Sequence, residues 1–351
     1  MFLCFQFYGS KILGDKGIMS SDNENFNPTL DLKFKPKVVN DGKTKIVETY
    51  QDPSINYRNV VKITTRDILT AFDGTKSDII FLSKEKTNQT CNVFRYLEKK
   101  GVKTSFLKQI DDKSFLSKQT TILPYECVVR RKAYGSFLKR HPEVQSGKYF
   151  HIPVIEFFSK LTYSPPCLSH ENLHAILDSP RLMDENKARE YYLRDGQWIH
   201  PVETDPMILF NFHEWRLNGE DKNSKDGFKL DVYSAKKPQN SNQKLMQIDS
   251  SITVQEYMDI VDLMKNIFGL LESAWKKFEI ELIDLKIEVG YDYDEGKLIV
   301  SDVIDNDSWR LWPNGDQTKQ LDKQAYRENS SFDEVIEKYK KVTHYTSLFN
   351  D

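Results

Sequence analysis

Lys286, Glu288 and Asp302, with Asp305, Asn306, Asp307 and Arg310 just beyond, concentrate cations and carboxylates in one stretch, Glu281–Pro313, ELIDLKIEVGYDYDEGKLIVSDVIDNDSWRLWP. Ile283, Leu285, Ile287 and Val289 alternate with Asp284, Lys286 and Glu288. That is the period of a strand with one apolar and one charged face. Leu298, Val300, Asp302 and Ile304 alternate with Ile299, Ser301 and Val303 on a partner strand, and Asp294-Glu295-Gly296 supplies the turn. A three-residue loop with Gly296 left-handed places Glu288 opposite Asp302. Facing carboxylates destabilise a strand pair unless something positive lies between them, and either Lys286 or a divalent metal meets that need. Mg2+ takes oxygen ligands, commonly one or two carboxylates plus substrate phosphates, so the pair suits metal-ATP. The plain alternative is a solvated charged face on an ordinary hairpin; Trp309 and Trp312 beside the charges argue against it.

A second motif is Pro124–Arg140, PYECVVRRKAYGSFLKR. Cys127, Val128 and Val129 predict a short buried strand, followed by Gly135-Ser136 among Arg130, Arg131, Lys132, Lys139 and Arg140. A glycine-serine turn opening a helix offers backbone N–H groups and a hydroxyl, and arginine adds bidentate charge-assisted bonds, which suits a phosphomonoester or carboxylate. Basic residues on an ordinary surface are the alternative. Nucleic acid is disfavoured, because only Tyr134 and Phe137 interleave with the cations and the whole chain carries a net charge of -2.

LIDLKIEVG, then SDVIDNDSWRLWP, then DKQAYRE (322–328) resemble the phosphoribosylaminoimidazole-succinocarboxamide synthase (SAICAR synthetase) family, a ligase of purine biosynthesis, most closely in the pattern of the fused animal form. Glu126-x-Val128-x-Arg130 followed by Gly135-Ser136-Phe137-x-Lys139-Arg140 matches another of its patterns. The resemblance implies an α+β fold, with antiparallel sheets and packed helices forming an ATP-binding cleft between two subdomains. It implies that ATP phosphorylates the carboxylate of carboxyaminoimidazole ribotide and that the amine of L-aspartate displaces phosphate. By the same resemblance Lys43 and Lys45, with Lys286 and Glu288, border ATP; Glu288 and Asp302 hold Mg2+; and Lys286 and Arg310 are catalytic. Asp73 of LTAFDG, Arg130, Ser136, Asp205, Arg310, Lys323 and Arg327 would then contact substrate. Many members follow the metal-binding Asp with Glu, where this chain has Val303; the animal-type pattern shares that valine.

The elements that must position these residues are also visible. Asp41-Gly42-Lys43-Thr44-Lys45 joins a turn to a strand, with both lysines expected on one face and Val60, Val61 and Ile63 on the returning strand. No Walker-type GxxxxGK[ST] loop is present. Lys84–Lys100 predicts a helix ending at Gly101, and Val102–Ile110 a strand. Thr253–Phe278 predicts a long helix with a Thr253/Glu256 capping box and an apolar stripe, packing behind the hairpin. A last helix starts at Ser331 with a box to Glu334 and runs to about Val342, and Lys323 and Arg327 lie on one face of a short helix before it.

The 351 residues allow one large or two medium domains. We expect a polar extension over 1–31, subdomains over 32–122 and 123–351, and insertions at about 159–204 and 218–242. The first insertion separates Glu156-Phe157-Phe158 from Asp205-Pro206-Met207, two family landmarks that usually lie close together. The charged fraction of 29% and hydrophobic fraction of 39% are ordinary for a soluble protein. No apolar run reaches membrane-spanning length, no secretory signal is evident, and Cys4, Cys91, Cys127 and Cys167 lack metal-type spacing. The expectation is a cytoplasmic monomer or homodimer that binds neither membrane nor nucleic acid. A small-molecule kinase and a non-catalytic nucleotide-binding scaffold are the competing readings.

Overall fold

The computed structural model describes residues 36–51, 55, 57, 59–71, 75–160, 192–194, 197–199, 205–241, 244–327 and 331–350. The expected extension over 1–31, and Asp73, lie outside the described residues. β1 (Val38–Asp41), β2 (Lys45–Tyr50) and β3 (Val60–Thr65) run antiparallel and are followed by the separate hairpin β4–β5 (Ile68–Ala71, Thr75–Asp78). Helix α1 (Leu82–Lys99) leads to β6 (Phe106–Gln109) and β7 (Ser114–Lys118), which complete a sheet of order β1-β2-β3-β7-β6. Val93, Phe94 and Leu97 are fully buried on α1, and Gly101 at φ 81° ends it in the left-handed conformation that favours glycine. The strand expected from Val102 is shorter. Thr104 instead bridges Val300 of the second sheet, and regular pairing in the first starts at Phe106.

The second sheet has nine strands and carries the chemistry. In chain order come β8 (Thr120–Ile122), β9 (Tyr125–Lys132), the short helix α2 (Ser136–Arg140) and β10 (Tyr149–Ser159). The hairpin β11–β12 (Tyr192–Arg194, Gln197–Ile199) stands apart, before β13 (Met207–Asn211), α3 (His213–Leu217), β14 (Lys229–Tyr233) and β15 (Met246–Asp249). Helix α4 (Val254–Lys276), β16 (Ile280–Asp292), β17 (Leu298–Ser301), β18 (Trp309–Pro313), α5 (Gln324–Arg327) and α6 (Phe332–Ser347) complete the chain. The order is β15-β14-β13-β10-β9-β16-β17, with β8 and β18 also paired to β16. Residues of the first insertion leave between paired partners: Phe158 opposes Met207, and Ser159 N donates to Pro206 O at 2.9 Å. The two landmarks separated in sequence are therefore adjacent in space.

α4 backs β16. Its capping box is formed by Glu256 N to Thr253 Oγ1 (3.1 Å) and Thr253 N to Glu256 Oε2 (2.6 Å). Ile260, Met264, Ile267, Phe268, Leu271 and Trp275 are at most 1% exposed. They join Leu285, Ile287 and Val289 of β16 in one core, so the helix does pack behind the hairpin. Burying such side chains stabilises by roughly 1.5–3 kcal/mol each. α6 has its own Ser331/Glu334 capping box, packs on α1, and runs to Ser347, past its expected end.

Candidate active site

With one face of β16 turned to α4, alternation turns Asp284, Lys286 and Glu288 to the other. Pairing with β9 adds Arg130 opposite Asp284 and Val128 opposite Lys286, so Glu126, Val128 and Arg130 share that face. At its Glu288 end is a pocket of ammonium groups and carboxylates. Lys286 Nζ lies 3.0 Å from Glu126 Oε1 and 3.7 Å from Glu288 Oε1, while Lys160, just past β10, pairs with Glu288. Lys45, the first residue of β2, crosses from the other sheet to pair with Asp302. Burial pushes the Lys45 ammonium down to about 8, with Lys160 and Lys286 adding to the shift and Glu288 opposing it. Burial also disfavours charge on Lys286, but Glu126 and Glu288 outweigh it and raise its pKa. Glu288 is held below its ordinary value against burial by Lys286, Lys160 and Lys45.

The hairpin register differs from the expected one. Gly296 is left-handed at φ 65°, but Asp292 N donates to Lys297 O, so the loop is the four residues Tyr293–Gly296 and Glu288 opposes Ser301. Asp292 Oδ1 accepts from Asp294 N (2.8 Å) and Glu295 N (3.0 Å), which fixes the longer loop. A one-residue slip normally sends a side chain to the opposite face. An extended Asp302 would follow Val300, fully buried in the core. Instead Asp302 adopts φ 65°, which breaks the strand and lets its carboxylate meet Lys45. Lys286 accordingly pairs with Glu126 and Glu288 rather than bridging Glu288 and Asp302.

At the Asp284 end the charges form a ladder. Arg310 Nη1 and Arg130 Nη1 both donate to Asp284 Oδ2, the latter at 2.6 Å; Arg130 Nε donates to Glu156, and Arg140 Nη2 to the other oxygen of Glu156. Arg130 Nη2 reaches Ser136 Oγ at 3.3 Å, at the start of α2. Gly135 is required here: its φ is 62°, and a Cβ would lie 2.6 Å from Arg310 Nη2. Arg310 Nη2, Gly135, Ser136 and Arg130 Nη2 therefore converge on one small volume, while Tyr134 lies under the Arg310 guanidinium at 5.3 Å. Arg310 Nε is buried without a hydrogen-bond partner.

The Asp305–Ser308 turn ties this face to α1 and α6. Lys86 Nζ and Tyr339 Oη donate to Asp307 at 2.9 and 3.0 Å, and Lys323 Nζ lies 3.4 Å away. Against the cost of burial, Lys86 and Lys323 hold the Asp307 carboxyl well below the usual carboxylate range. Asn306 accepts from Trp309 Nε1 and donates to Leu321 O, both at 2.9 Å.

Other expected residues are dispersed. Lys43 is exposed at the bend before β2, so the two lysines do not share a strand face: only Lys45 lies in the strand. Asp205 is exposed before β13 with φ 50°, among the charges of Glu126, Lys286 and Lys160. Lys323 precedes α5 rather than lying on it, and the side chain of Arg327 is outside the described set. Glu126, Lys160, Asp284, Glu156 and Lys86 had no site role in the sequence reading. A longer β9, Tyr125–Lys132, would have put Glu126 on the face of Arg130. Ser83, Lys86, Thr87 and Thr90 keep helical spacing and are at most 3% exposed, a polar stripe that an apolar-periodicity scan passes over.

Among the described residues no group of three or more His, Cys, Asp or Glu side chains could hold a metal by itself, and no helix is long and apolar enough to cross a membrane. Fold and site together define an α+β protein with a lysine–carboxylate cluster and an arginine–carboxylate ladder along one sheet face. A family model described as SAICAR synthetase matches residues 38–189 and 231–345, and the chain belongs to that family. The phosphoribosylaminoimidazole-succinocarboxamide synthase of Chloroflexus aurantiacus is 31% identical over 85% of this chain and 89% of its own length. The bifunctional purine synthesis protein purC/E of Dictyostelium discoideum is 31% identical over 87% of this chain, and a probable multifunctional protein ADE2 of Caenorhabditis elegans 31% over 90%. This chain spans 24% and 59% of those two proteins. A SAICAR synthetase solved with ADP shares the fold at TM-score 0.59 and 21% identity, covering 89% of this chain and 97% of its own. The phosphoribosylaminoimidazole-succinocarboxamide synthase of Ehrlichia chaffeensis does so at 0.57 and 23%, covering 88% and 98%.

Proposed function

We propose that the chain is an ATP-dependent carbon–nitrogen ligase of purine biosynthesis that joins L-aspartate to carboxyaminoimidazole ribotide, giving the succinocarboxamide ribotide, ADP and phosphate. The observation that carries this reading is the alternation of Asp284, Lys286 and Glu288 on one strand face, with an arginine anion pocket at one end and a lysine pocket at the other. Two residues of strand rise about 6.8 Å, so Asp284 and Glu288, four residues apart, stand roughly 14 Å from each other. A ribotide anchored at its phosphate by Arg130, Ser136 and Arg310 thereby directs its carboxylate toward nucleotide phosphates held by Lys45, Lys160 and Lys286. The ATP cleft lies between the subdomains 32–122 and 123–351, with β8 (Thr120–Ile122) of the first pairing into the sheet of the second.

A ribotide carboxylate oxygen attacks the γ-phosphorus and ADP leaves, forming an acyl phosphate. The aspartate amine then attacks the acyl carbon, the C–O bond breaks, phosphate leaves with the former carboxylate oxygen, and the nitrogen gives up one proton to the departing phosphate. Lysines around the transferring group stabilise charge as it redistributes, and fixed geometry contributes about 7–11 kcal/mol of barrier reduction when alignment is right. Lys286 is the catalytic lysine, and Arg310 holds ribotide while Asp284 fixes its fork. Lys43 reaches the nucleotide from the exposed bend; Asp73, Asp205, Lys323 and Arg327 serve the substrate side. Glu288 and Asp302 suit Mg2+: both are carboxylates beside the lysine pocket, and Glu288 is held ionised. When bound, the cation would neutralise charge on the β- and γ-phosphates. Free, buried Cys91 and Cys127 suit a reducing cytoplasm.

The test is ADP release from Mg-ATP and carboxyaminoimidazole ribotide with and without L-aspartate, following the succinocarboxamide by absorbance. ADP and product appearing together only with aspartate is the expected result. Sustained ADP release without aspartate would favour a kinase, and tight ATP binding without release would favour a scaffold.

A further inference from the structure

The charge ladder does not end at Glu156. Arg140, the last residue of α2, is 1% exposed, and besides Glu156 its Nη1 donates to the carbonyl of Ala235 at 3.1 Å. Its guanidinium also lies 5.2 Å from the centre of the Phe158 ring. Ala235 follows β14 and packs with Tyr233, Met207, Phe158 and Val128. β14 is attached to the rest of the sheet through β13, and Ala235 lies within the second family-matched segment. One buried arginine thus connects the end of β14 to the carboxylate that holds Arg130.

Arg130 is nearly immobilised by this arrangement. Nε is committed to Glu156 and Nη1 to Asp284, which leaves Nη2, at 3.3 Å from Ser136 Oγ, as its least engaged donor. Glu156 divides its oxygens, one to Arg130 and one to Arg140. Without Arg140 the buried Glu156 oxygen loses its partner, and the carboxylate satisfies itself by taking Arg130 with both oxygens, turning Nη2 away from Ser136. The ladder also changes from three arginines against two carboxylates to two against two, losing its net positive charge.

We propose that Arg140 is a positioning residue that aims Arg130 at the ribotide phosphate, and that the end of β14 acts on substrate recognition through the Ala235 carbonyl. This rests on the assignment of Arg130 to that phosphate. Arg140→Met raises the ribotide KM about tenfold or more, while the ATP KM and kcat stay within about twofold. Arg140→Lys, which keeps the charge but not the fork, gives an intermediate ribotide KM. In an Arg130→Met background, Arg140→Met adds nothing further to the ribotide KM, because its action passes through Arg130. A merely structural role predicts instead equal fold-changes in both backgrounds, or losses in kcat and ATP affinity alike, and either would overturn the proposal. If Arg130→Met raises the ribotide KM but Arg140→Met does not, positioning is refuted and the ribotide assignment stands. If Arg130→Met itself leaves ribotide KM unchanged, the underlying assignment falls first. Should Arg140→Met lose ADP binding, Arg140→Lys decides: a ribotide KM equal to that of the unaltered protein overturns the proposal.

Discussion

The two ends of the charged face of β16 solve different problems with the same alternation of side chains. Toward Asp284, planar guanidinium groups share carboxylates in a nearly closed ladder, with Arg130 3% exposed. Toward Glu288, flexible ammonium groups crowd around carboxylates, one of them brought from the opposite sheet by β2. Arginine keeps its charge and offers a fixed fork; lysine is a movable point charge whose pKa responds to burial. A phosphate that is only anchored suits the first environment, and a phosphoryl group that transfers suits the second.

Breaking the lysine end has the largest expected effect. Asp302→Asn abolishes turnover, a loss beyond about 10^3-fold, while circular dichroism and melting temperature stay near those of the parent; retained activity would remove the metal role assigned to Asp302. Lys286→Met lowers kcat by about 10^2- to 10^3-fold in single-turnover assays. At the arginine end, Gly135→Ala drives a Cβ into Arg310 and raises the ribotide KM about tenfold, with little change in ATP affinity.

The pH dependence sharpens the contrast. Lys45, pushed down to about 8, loses its proton as pH rises through that value, so kcat/KM for ATP in the free enzyme falls above about pH 8. Its folded pKa lies below the unfolded one, so the unfolded chain binds more protons between about 8 and 10.5. Through this group stability therefore rises with pH across that window. The ribotide KM is expected to stay flat across the same window. The smallest effect belongs to the frame serving both ends: Thr253→Ala costs about 1 kcal/mol in denaturant unfolding and leaves both KM values unchanged.

Much of this was legible because local rules and tertiary packing agree. The α4 stripe, its capping box and the alternation of β16 are periodicities that burial enforces, and the structure contains all three. The hairpin register was not legible. Whether Tyr293 belongs to strand or loop depends on Asp292 accepting two backbone N–H groups, and Asp302 then depends on a left-handed residue that pattern reading places in a strand. Lys160 and Lys86 were missed for another reason: each gains its meaning only from a partner more than a hundred residues away, Glu288 or Asp307. Arg130 and Ser136 were found by motif, yet the carboxylates that hold the ladder together, Asp284 and Glu156, appeared only once the strands were paired.

The most direct test of the account is the fate of oxygen from the ribotide carboxylate. With that carboxylate labelled with 18O and Mg-ATP and L-aspartate present, mass spectrometry of the inorganic phosphate should show one labelled oxygen per turnover. Product formed with unlabelled phosphate would mean that the carboxylate never becomes an acyl phosphate, and would contradict the placing of both substrates along one strand for that transfer.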